Sequence, residues 1–443
     1  MNIILLSGGS GKRLWPLSND IRSKQFIRLF RAADGHYESM IQRMHRMIRE
    51  VDPTSTITIA TNRTQVSAIC NQLGSDVNLS VEPCRRDTFP AIALAAAYLR
   101  DVRGFSEEEI VVICPSDPYV DKDYFEALMS LGAQAAKREA NLVLMGIQPT
   151  YPSEKYGYIL PQDGEAITEV QTFKEKPDLA AAEAYIKAGA LWNGGVFACR
   201  IGYVLEKARR LLQFTDYQTL LTNYEQTRKI SFDFAVVEQE KHIQVMRFSG
   251  RWMDLGTWNT LTEAMDECSV GNVIIDETCD NVHVLNELSV PVIAMGLRDV
   301  VISASPEGIL VSDKGRSSHL KQYVDRIQQQ VMFAEKSWGS YTVLDVESNS
   351  LTVKVKLNPD HRMHYHSHAH RDETWTVVEG EGTAILDDTV IQLVPGVVLR
   401  LPSGCRHTVI ARTALTMIEV QIGENISVED KQKFPMGHIP PVR

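Results

Sequence analysis

The sequence predicts an α/β domain with a mostly parallel sheet, followed by a C-terminal part made of β structure. Three observations carry this prediction. Short apolar runs alternate with helical patterns from residue 1 to about 265. Short β-like pieces at 272–275, 282–285, 300–302 and 308–311 then recur at a spacing of roughly ten residues. Beyond Trp338, strand signals separated by Gly and Pro turns run nearly to the end, as in a β-barrel or double-sheet jelly roll. Strand, helix, strand in that order places ligands at the strand C-termini, so chemistry is sought in the loops that follow the strands.

The first element is the uninterrupted apolar run 3–6, which reads as a buried strand. It feeds Gly8-Gly9-Ser10-Gly11-Lys12-Arg13, a turn whose glycines let the backbone approach an anion and whose cations face the same charge. Two familiar phosphate motifs fail here. A Walker loop needs Gly at Leu6 and Ser or Thr at Arg13, and the dinucleotide fingerprint needs Gly at Leu14. Pro16 stops a helix from starting directly after the loop. Further strands are expected at 57–60, 110–114 and 142–145, between helical stretches at 90–100 and 124–140. Asp117 follows the strand 110–114, where a carboxylate can hold a hard divalent ion. A polar helical stretch, 316–330, leads into the last β region.

The chain has 443 residues, room for two or three domains, with 44% apolar and 23% charged residues. A net charge of −10 argues against general nucleic-acid binding, while leaving room for a nucleotide held by local cations. Seven cysteines without CxxC pairing indicate reduced thiols rather than a disulfide framework. The N-terminus enters the first strand directly and no apolar run approaches membrane-spanning length, so a cytoplasmic protein without membrane or nucleic-acid partners is expected.

Residues 8–17 and Lys24-Gln25-Phe26 resemble the signature GGxGxRLxPL loop and following basic residue of the sugar-1-phosphate nucleotidyltransferases, most of all the mannose-1-phosphate guanylyltransferases. The resemblance implies a Rossmann-like nucleotidyltransferase sheet, the substrates GTP and mannose 1-phosphate, and Mg2+. By the same resemblance, Gly8, Gly9, Gly11 and Arg13 meet the nucleotide, and Arg13 and Lys24 are catalytic cations. Trp252-Met253-Asp254 matches the second acidic motif, which makes Asp117 and Asp254 the magnesium pair; Pro118 stands where the family usually has histidine. Phe173-Lys174-Glu175-Lys176-Pro177 resembles F-x-E-K-P, in which the glutamate holds sugar hydroxyls and the lysine the sugar phosphate. Pro177 biases Lys176 towards an extended conformation. Trp192-Asn193-Gly194-Gly195 and Tyr156-Gly157-Tyr158 resemble the sugar-facing strips, which adds Asn193, Gly195 and Gly157 to Glu175 and Lys176. Residues 82–90 resemble EPxGRNTAP, the guanine-facing segment, with Arg86 and Asp87 on the base; a carboxylate can accept from guanine N1–H and the N2 amino group.

Near the C-terminus, His361, His364, His366, His368 and His370 fall together, followed by Glu373. On an extended strand His366, His368 and His370 would share a face, and such a set suits a borderline transition metal. The spacing His366-x-His368-x4-Glu373 and the stretch 402–407 resemble the two cupin motifs, implying the ligands His366, His368, Glu373 and His407 and a metal of the Zn, Mn, Fe, Co or Ni class. The stretch 370–375 is similar to the HRAEHW segment of type II phosphomannose isomerases, which are fused to guanylyltransferases; Arg371 would there bind the substrate phosphate. This chain departs from that family at His366 (commonly Gln), Thr374 (His) and residues 335–339, which lack its Arg and Pro.

The resemblance implies three parts: a catalytic domain, 1–267; a left-handed β-helical segment, 268–332; and a cupin, 333–443. The expected function is synthesis of GDP-mannose and pyrophosphate from GTP and mannose 1-phosphate, in a homodimer, for polysaccharide biosynthesis. Interconversion of mannose 6-phosphate and fructose 6-phosphate in the cupin is a second expectation. Two alternatives stay open: a guanylyltransferase for another sugar 1-phosphate with a non-catalytic cupin, and a sugar-nucleotide sensor without turnover.

Overall fold

The computed structural model describes residues 1–435 apart from Ser10, Gly11, Asp20, Ala33, Asn425, Val428, Glu429 and the side chain of Lys12. Gly11, expected at the nucleotide, lies outside the described residues. The chain divides into two units: Met1–Ser10 with Ser23–Val66 and Asp76–Asp266, and Gly11–Arg22 with Ser67–Ser75 and Glu267–Arg443. Two short pieces of the N-terminal third thus pack with the C-terminal unit.

The first unit is built on a nine-stranded sheet in the order Asn78–Glu82, Thr56–Asn62, Asn2–Ser7, Ile110–Pro115, Leu191–Arg200, Leu142–Ile147, Ile243–Phe248, Ile167–Lys174, Gly157–Pro161. Ile3, Ile4 and Leu5 are wholly buried, which is why the first strand is apolar on both faces rather than alternating. The helix Thr88–Asp101 buries alanines and leucines around most of its circumference, and its small side chains allow it to lie close on the sheet. Most strands are parallel, as expected. Two strands are exceptions: Leu191–Arg200 runs antiparallel between Ile110–Pro115 and Leu142–Ile147, and Ile167–Lys174 antiparallel between Ile243–Phe248 and Gly157–Pro161. The register of Leu191–Arg200 shifts between Asn193 and Phe197, and Gly195 takes φ +70° there, a conformation that glycine adopts at little cost.

In the second unit, Ser269–Val270, His283–Asn286 and Val300–Ser305 stack in parallel on one face, and Val273–Ile275 stacks on Val292–Ala294 on another. Each coil contributes two strands, so the ten-residue sequence spacing is half a coil. Gly308–Asp313 closes the stack antiparallel to Val300–Ser305. The expected helix at 316–330 is reduced to a 3₁₀ turn, Gly315–His319, and one α turn, Lys321–Val324, because its polar residues offer no continuous apolar stripe to bury. A six-stranded and a five-stranded sheet then face each other around Trp375, Val353, Val355 and Met417, the double-sheet arrangement of a cupin.

Candidate functional site

The first unit carries a cleft of about 430 Å³ at the C-terminal ends of its central strands. Gly8 and Gly9 lie on its wall with open space at both Cβ positions, and Gly9 has φ +113°. The Gly9 carbonyl is fixed by Ser23 Oγ at 2.9 Å and by the Arg85 guanidinium at 3.2 Å.

Asp117 and Asp254 meet because Trp252–Asp254 pairs antiparallel with Pro118–Val120, setting Asp254 opposite Pro118. Lys24 Nζ lies 2.8 Å from Asp117 and 3.0 Å from Asp254. Burial works against this ammonium, but the two carboxylates outweigh it and hold its pKa above the usual lysine value. Two carboxylates gathered around one cation form a hard-oxygen donor pair of the kind a divalent ion takes.

On the other side of the cleft, Glu175 is buried and its carboxylate accepts from Lys176 Nζ at 2.5 Å. The extended conformation expected of Lys176 is not found: its φ is +44°. The chain turns sharply after the strand Ile167–Lys174, and the ion pair with Glu175 draws the side chain back towards the strand end. Gly157 explains itself by proximity, since a Cβ there would stand 2.6 Å from Glu175 Oε2 and 3.3 Å from Asn193 Cβ. Asn193 accepts from the Gly195 N–H at 3.0 Å and donates to Asp233 Oδ1 at 2.6 Å. Tyr156, Trp192 and Trp252 cluster here, with Tyr156 4.9 Å from Trp192 and 5.5 Å from Trp252 between ring centroids; the Trp252 indole N–H, on the cleft wall, is buried without a hydrogen-bond partner among the described residues.

The sequence reading missed Asp233. Burial, followed by the neighbouring Glu175 carboxylate, pushes its pKa up to about 6. The segment Ser231-Phe232-Asp233-Phe234 carries only a helix-cap pattern, so nothing local marks this residue. Glu82 was also passed over; its carboxylate lines the cleft, accepts from the Tyr224 hydroxyl at 2.7 Å, and is raised by burial. At the base-side segment, Asp87 lines the cleft and caps the helix Thr88–Asp101 through the Thr88 N–H at 2.8 Å. Arg86 does not line it, because its guanidinium bonds the Glu225 carbonyl; from this segment the cation on the wall is Arg85, and Lys155 is a further cation lining the cleft. Arg13, on the 3₁₀ turn Lys12–Leu14, belongs to the second unit and is exposed.

The second chemical focus lies inside the barrel. His366 sits opposite His407 in register, and the ligand atoms of His366, His368 and His407 all lie within 4.8 Å of one another. His370 does not join them, since the strand His366–Ser367 ends before it and leaves it exposed. Each of the three rings has its Nδ1 against a backbone carbonyl: His364 at 2.6 Å, Cys405 at 3.0 Å, and Asp430 for His368. Those bonds fix the tautomers and turn the Nε2 atoms inward. His407 Nε2 is buried without a hydrogen-bond partner among the described residues. Burial lowers the pKa of all three imidazoles, that of His407 to about 4, so they are neutral donors at physiological pH. A triad of this kind can hold a metal ion.

Glu373 stands 3.3 Å from His368 Nε2 and 3.6 Å from His407 Nε2, and accepts from Arg371 Nε at 2.9 Å and Trp375 Nε1 at 3.1 Å. Burial raises its pKa, but His407, His368 and Arg371 together prevail and hold it below the usual carboxylate range. Arg371 is buried, with a second nitrogen 3.0 Å from His368 Nε2 and a third on the Ser427 carbonyl at 2.9 Å. On the neighbouring strand, burial and then Glu373 push the Glu419 carboxyl well above the usual carboxylate range.

A nucleotidyl transferase family model matches residues 2–269, and a mannose-6-phosphate isomerase C-terminal model matches residues 325–435. The xanthan biosynthesis protein XanB of Xanthomonas campestris pv. campestris (strain B100) is 29% identical over 465 residues, covering 97% of each chain. A mannose-1-phosphate guanylyltransferase of Escherichia coli (strain K12) is 28% identical over 475 residues, again covering 97% of each. A Thermus thermophilus crystal structure, described as a mannose-1-phosphate geranyltransferase, superposes with a TM-score of 0.60 at 28% identity, covering 73% of this chain and 98% of that one.

Proposed function

The chain belongs to the nucleotidyl transferase family, and from that premise we propose that it transfers GMP from GTP to mannose 1-phosphate, yielding GDP-mannose and pyrophosphate. The observation that carries the reading is the single cleft in which Gly8 and Gly9, the Asp117 and Asp254 pair around Lys24, and the Glu175, Asn193 and Asp233 cluster converge.

In this reaction a phosphate oxygen of the sugar attacks the α-phosphorus of GTP, and the bond to the β-phosphate oxygen breaks. Two polyanions must be brought together, so fixed cations and orientation supply most of the barrier reduction. Lys24 and Arg13 neutralise the triphosphate, and Lys176 the sugar phosphate. Glu175, Asn193 and Asp233 accept and donate hydrogen bonds to sugar hydroxyls, with Gly157 and Gly195 leaving room for the ring. Asp87 reads guanine, and Arg85 is the base-side cation because the Glu225 carbonyl engages Arg86. Asp117 and Asp254 are the residues that would hold Mg2+, which when bound supplies further neutralisation of the phosphate oxygens.

For the barrel we propose mannose-6-phosphate and fructose-6-phosphate interconversion, supported by the Nδ1-pinned triad with its unpartnered His407 Nε2. His366, His368, Glu373 and His407 would hold a metal of the Zn, Mn, Fe, Co or Ni class, which polarises carbonyl oxygen when bound. Arg371 would meet the substrate phosphate once released from Glu373. The division at 267/268 and 332/333, a homodimer and a cytoplasmic location belong to the same proposal; among the described residues no helix is long and apolar enough to cross a membrane.

The test is a pair of assays on one metal-defined preparation. Pyrophosphate release from GTP with mannose 1-phosphate, faster than with other sugar 1-phosphates, is expected, together with fructose 6-phosphate formation from mannose 6-phosphate. Faster release with another sugar 1-phosphate would move the assignment to that sugar, and binding without turnover would make the chain a sensor.

A further inference from the structure

Gly8 and Gly9 form part of the cleft wall of the first unit, and among the described residues nothing stands within 4 Å of either Cβ position. Side-chain packing therefore does not fix this edge, and Gly9, at φ +113°, occupies a region that glycine enters and leaves at little cost. A peptide free to flip would turn its carbonyl oxygen into the cleft, where it repels an anionic ligand.

A buried chain of hydrogen bonds within the same unit holds that oxygen. Thr61 Oγ1 donates to Gln65 Oε1 at 3.0 Å, Gln65 Nε2 donates to Ser23 Oγ at 2.7 Å, and Ser23 Oγ donates to the Gly9 carbonyl at 2.9 Å. Gln65 Nε2 itself lies 3.5 Å from the Gly9 oxygen. Ser23 and Gln65 are 0% exposed and Thr61 3%, so water is not at hand to replace a lost link. The chain starts from a rigid position, because Thr61 stands in register with Ser7 at the end of the first strand. Ser23 occupies the N-cap place of the 3₁₀ turn Lys24–Phe26, yet its side chain makes no capping bond there; the hydroxyl is engaged with Gln65 and Gly9 instead. Each link has one sense. The Gln65 amide oxygen faces the Thr61 O–H, which leaves the amide N–H for Ser23, whose own O–H is left for the carbonyl. Buried polar groups that lose a partner are costly, so the chain is made or broken as a unit.

We propose that Thr61, Gln65 and Ser23 are positioning residues for nucleotidyl transfer, holding the Gly9 carbonyl off the triphosphate of GTP. This rests on the reading of the cleft as the GTP site and of Gly8 and Gly9 as its triphosphate edge.

The experiment measures kcat and KM for GTP and for mannose 1-phosphate, by pyrophosphate release, for the full-length protein and for G8A, S23A, T61V, T61S, Q65M and T61V/Q65M, with melting temperature as the fold control. Q65M and S23A are expected to raise KM for GTP about tenfold, leaving KM for mannose 1-phosphate within about twofold. T61V should raise KM for GTP about threefold to tenfold, and T61S, which keeps the hydroxyl, should stay within about twofold of the parent. Because the links act as one chain, T61V/Q65M should be no worse than Q65M. A merely structural role would lower the melting temperature without separating the two substrates, and its effects would add in the double variant. Folded Q65M and S23A with unchanged KM for GTP, equal rises for both substrates, or an additive double variant would each overturn the proposal, and T61V decides in the same way if Q65M and S23A do not fold. G8A tests the underlying reading, since its methyl group enters open space and meets only a ligand. If G8A responds and the Thr61, Gln65 and Ser23 variants do not, the positioning chain alone is wrong. If G8A leaves KM for GTP unchanged, the triphosphate reading of this edge falls, and the proposal with it.

Discussion

Replacing Asp233 with asparagine should stabilise the first unit while impairing its use of sugar phosphate. Burial and Glu175 lift the Asp233 pKa from 3.8 to about 6. A folded value above the unfolded one means that the folded state holds the proton more tightly, so stability is greatest below about pH 4 and is lost as pH rises through 6. At about 1.4 kcal/mol per pH unit the loss reaches up to about 3 kcal/mol at neutral pH. The residue is half-buried, and screening reduces the expected figure to about 2 kcal/mol. Asparagine removes the charge and keeps an oxygen for Asn193 Nδ2, now 2.6 Å away. Asp233→Asn should therefore raise the melting transition of the first unit by about 4–8 °C near pH 7.5 and leave it unchanged near pH 4. Catalysis moves the other way. Loss of a charged acceptor costs about 1.5–3 kcal/mol, so kcat/KM for mannose 1-phosphate should fall about tenfold to hundredfold. In the parent protein kcat/KM should decline below about pH 6, and in the variant that limb should vanish. The assays are thermal melts across pH and pyrophosphate release across the same range. A stability gain absent near pH 7.5, or one that persists near pH 4, would refute the electrostatic argument, and an undiminished kcat/KM would refute the sugar-side role.

Lys24→Met leaves Asp117 and Asp254 facing each other without their cation; pyrophosphate release should fall by about a hundredfold or more, against wild-type-like secondary structure by circular dichroism. Gly157→Ala pushes a methyl group to 2.6 Å from Glu175 Oε2, and KM for mannose 1-phosphate should rise about tenfold while KM for GTP stays near its starting value. His407→Ala removes the deepest imidazole of the barrel triad; metal content by mass spectrometry should fall at least about tenfold and fructose 6-phosphate formation should stop, with pyrophosphate release intact.

The sequence alone determined the architecture and most of the chemistry, because both are written in local patterns. Apolar runs followed by glycine-rich turns mark buried strands with open C-terminal loops, and the observed strands Thr56–Asn62, Ile110–Pro115 and Leu142–Ile147 fall where those runs lie. The residue types of the site, Lys24, Asp117, Glu175, Asn193, Asp254 and the barrel histidines, were legible from spacing and family resemblance. What the fold alone decided is which of them touch. Asp117 reaches Asp254 because an antiparallel pair sets Asp254 opposite Pro118, and no local pattern records a pairing between distant segments. Asp233 acquires its raised pKa from burial and then from Glu175, a neighbour in space that its own helix turn does not announce. Arg86 and Arg85 are adjacent in sequence, and only the Glu225 carbonyl separates their roles. The glycine-rich loop reads as a phosphate motif by itself, yet its Gly9 carbonyl is held by Ser23, and Ser23 by Gln65. Periodicity reports which face of an element is buried; it carries no information on which buried polar group will satisfy which other, and that pairing is settled by tertiary packing.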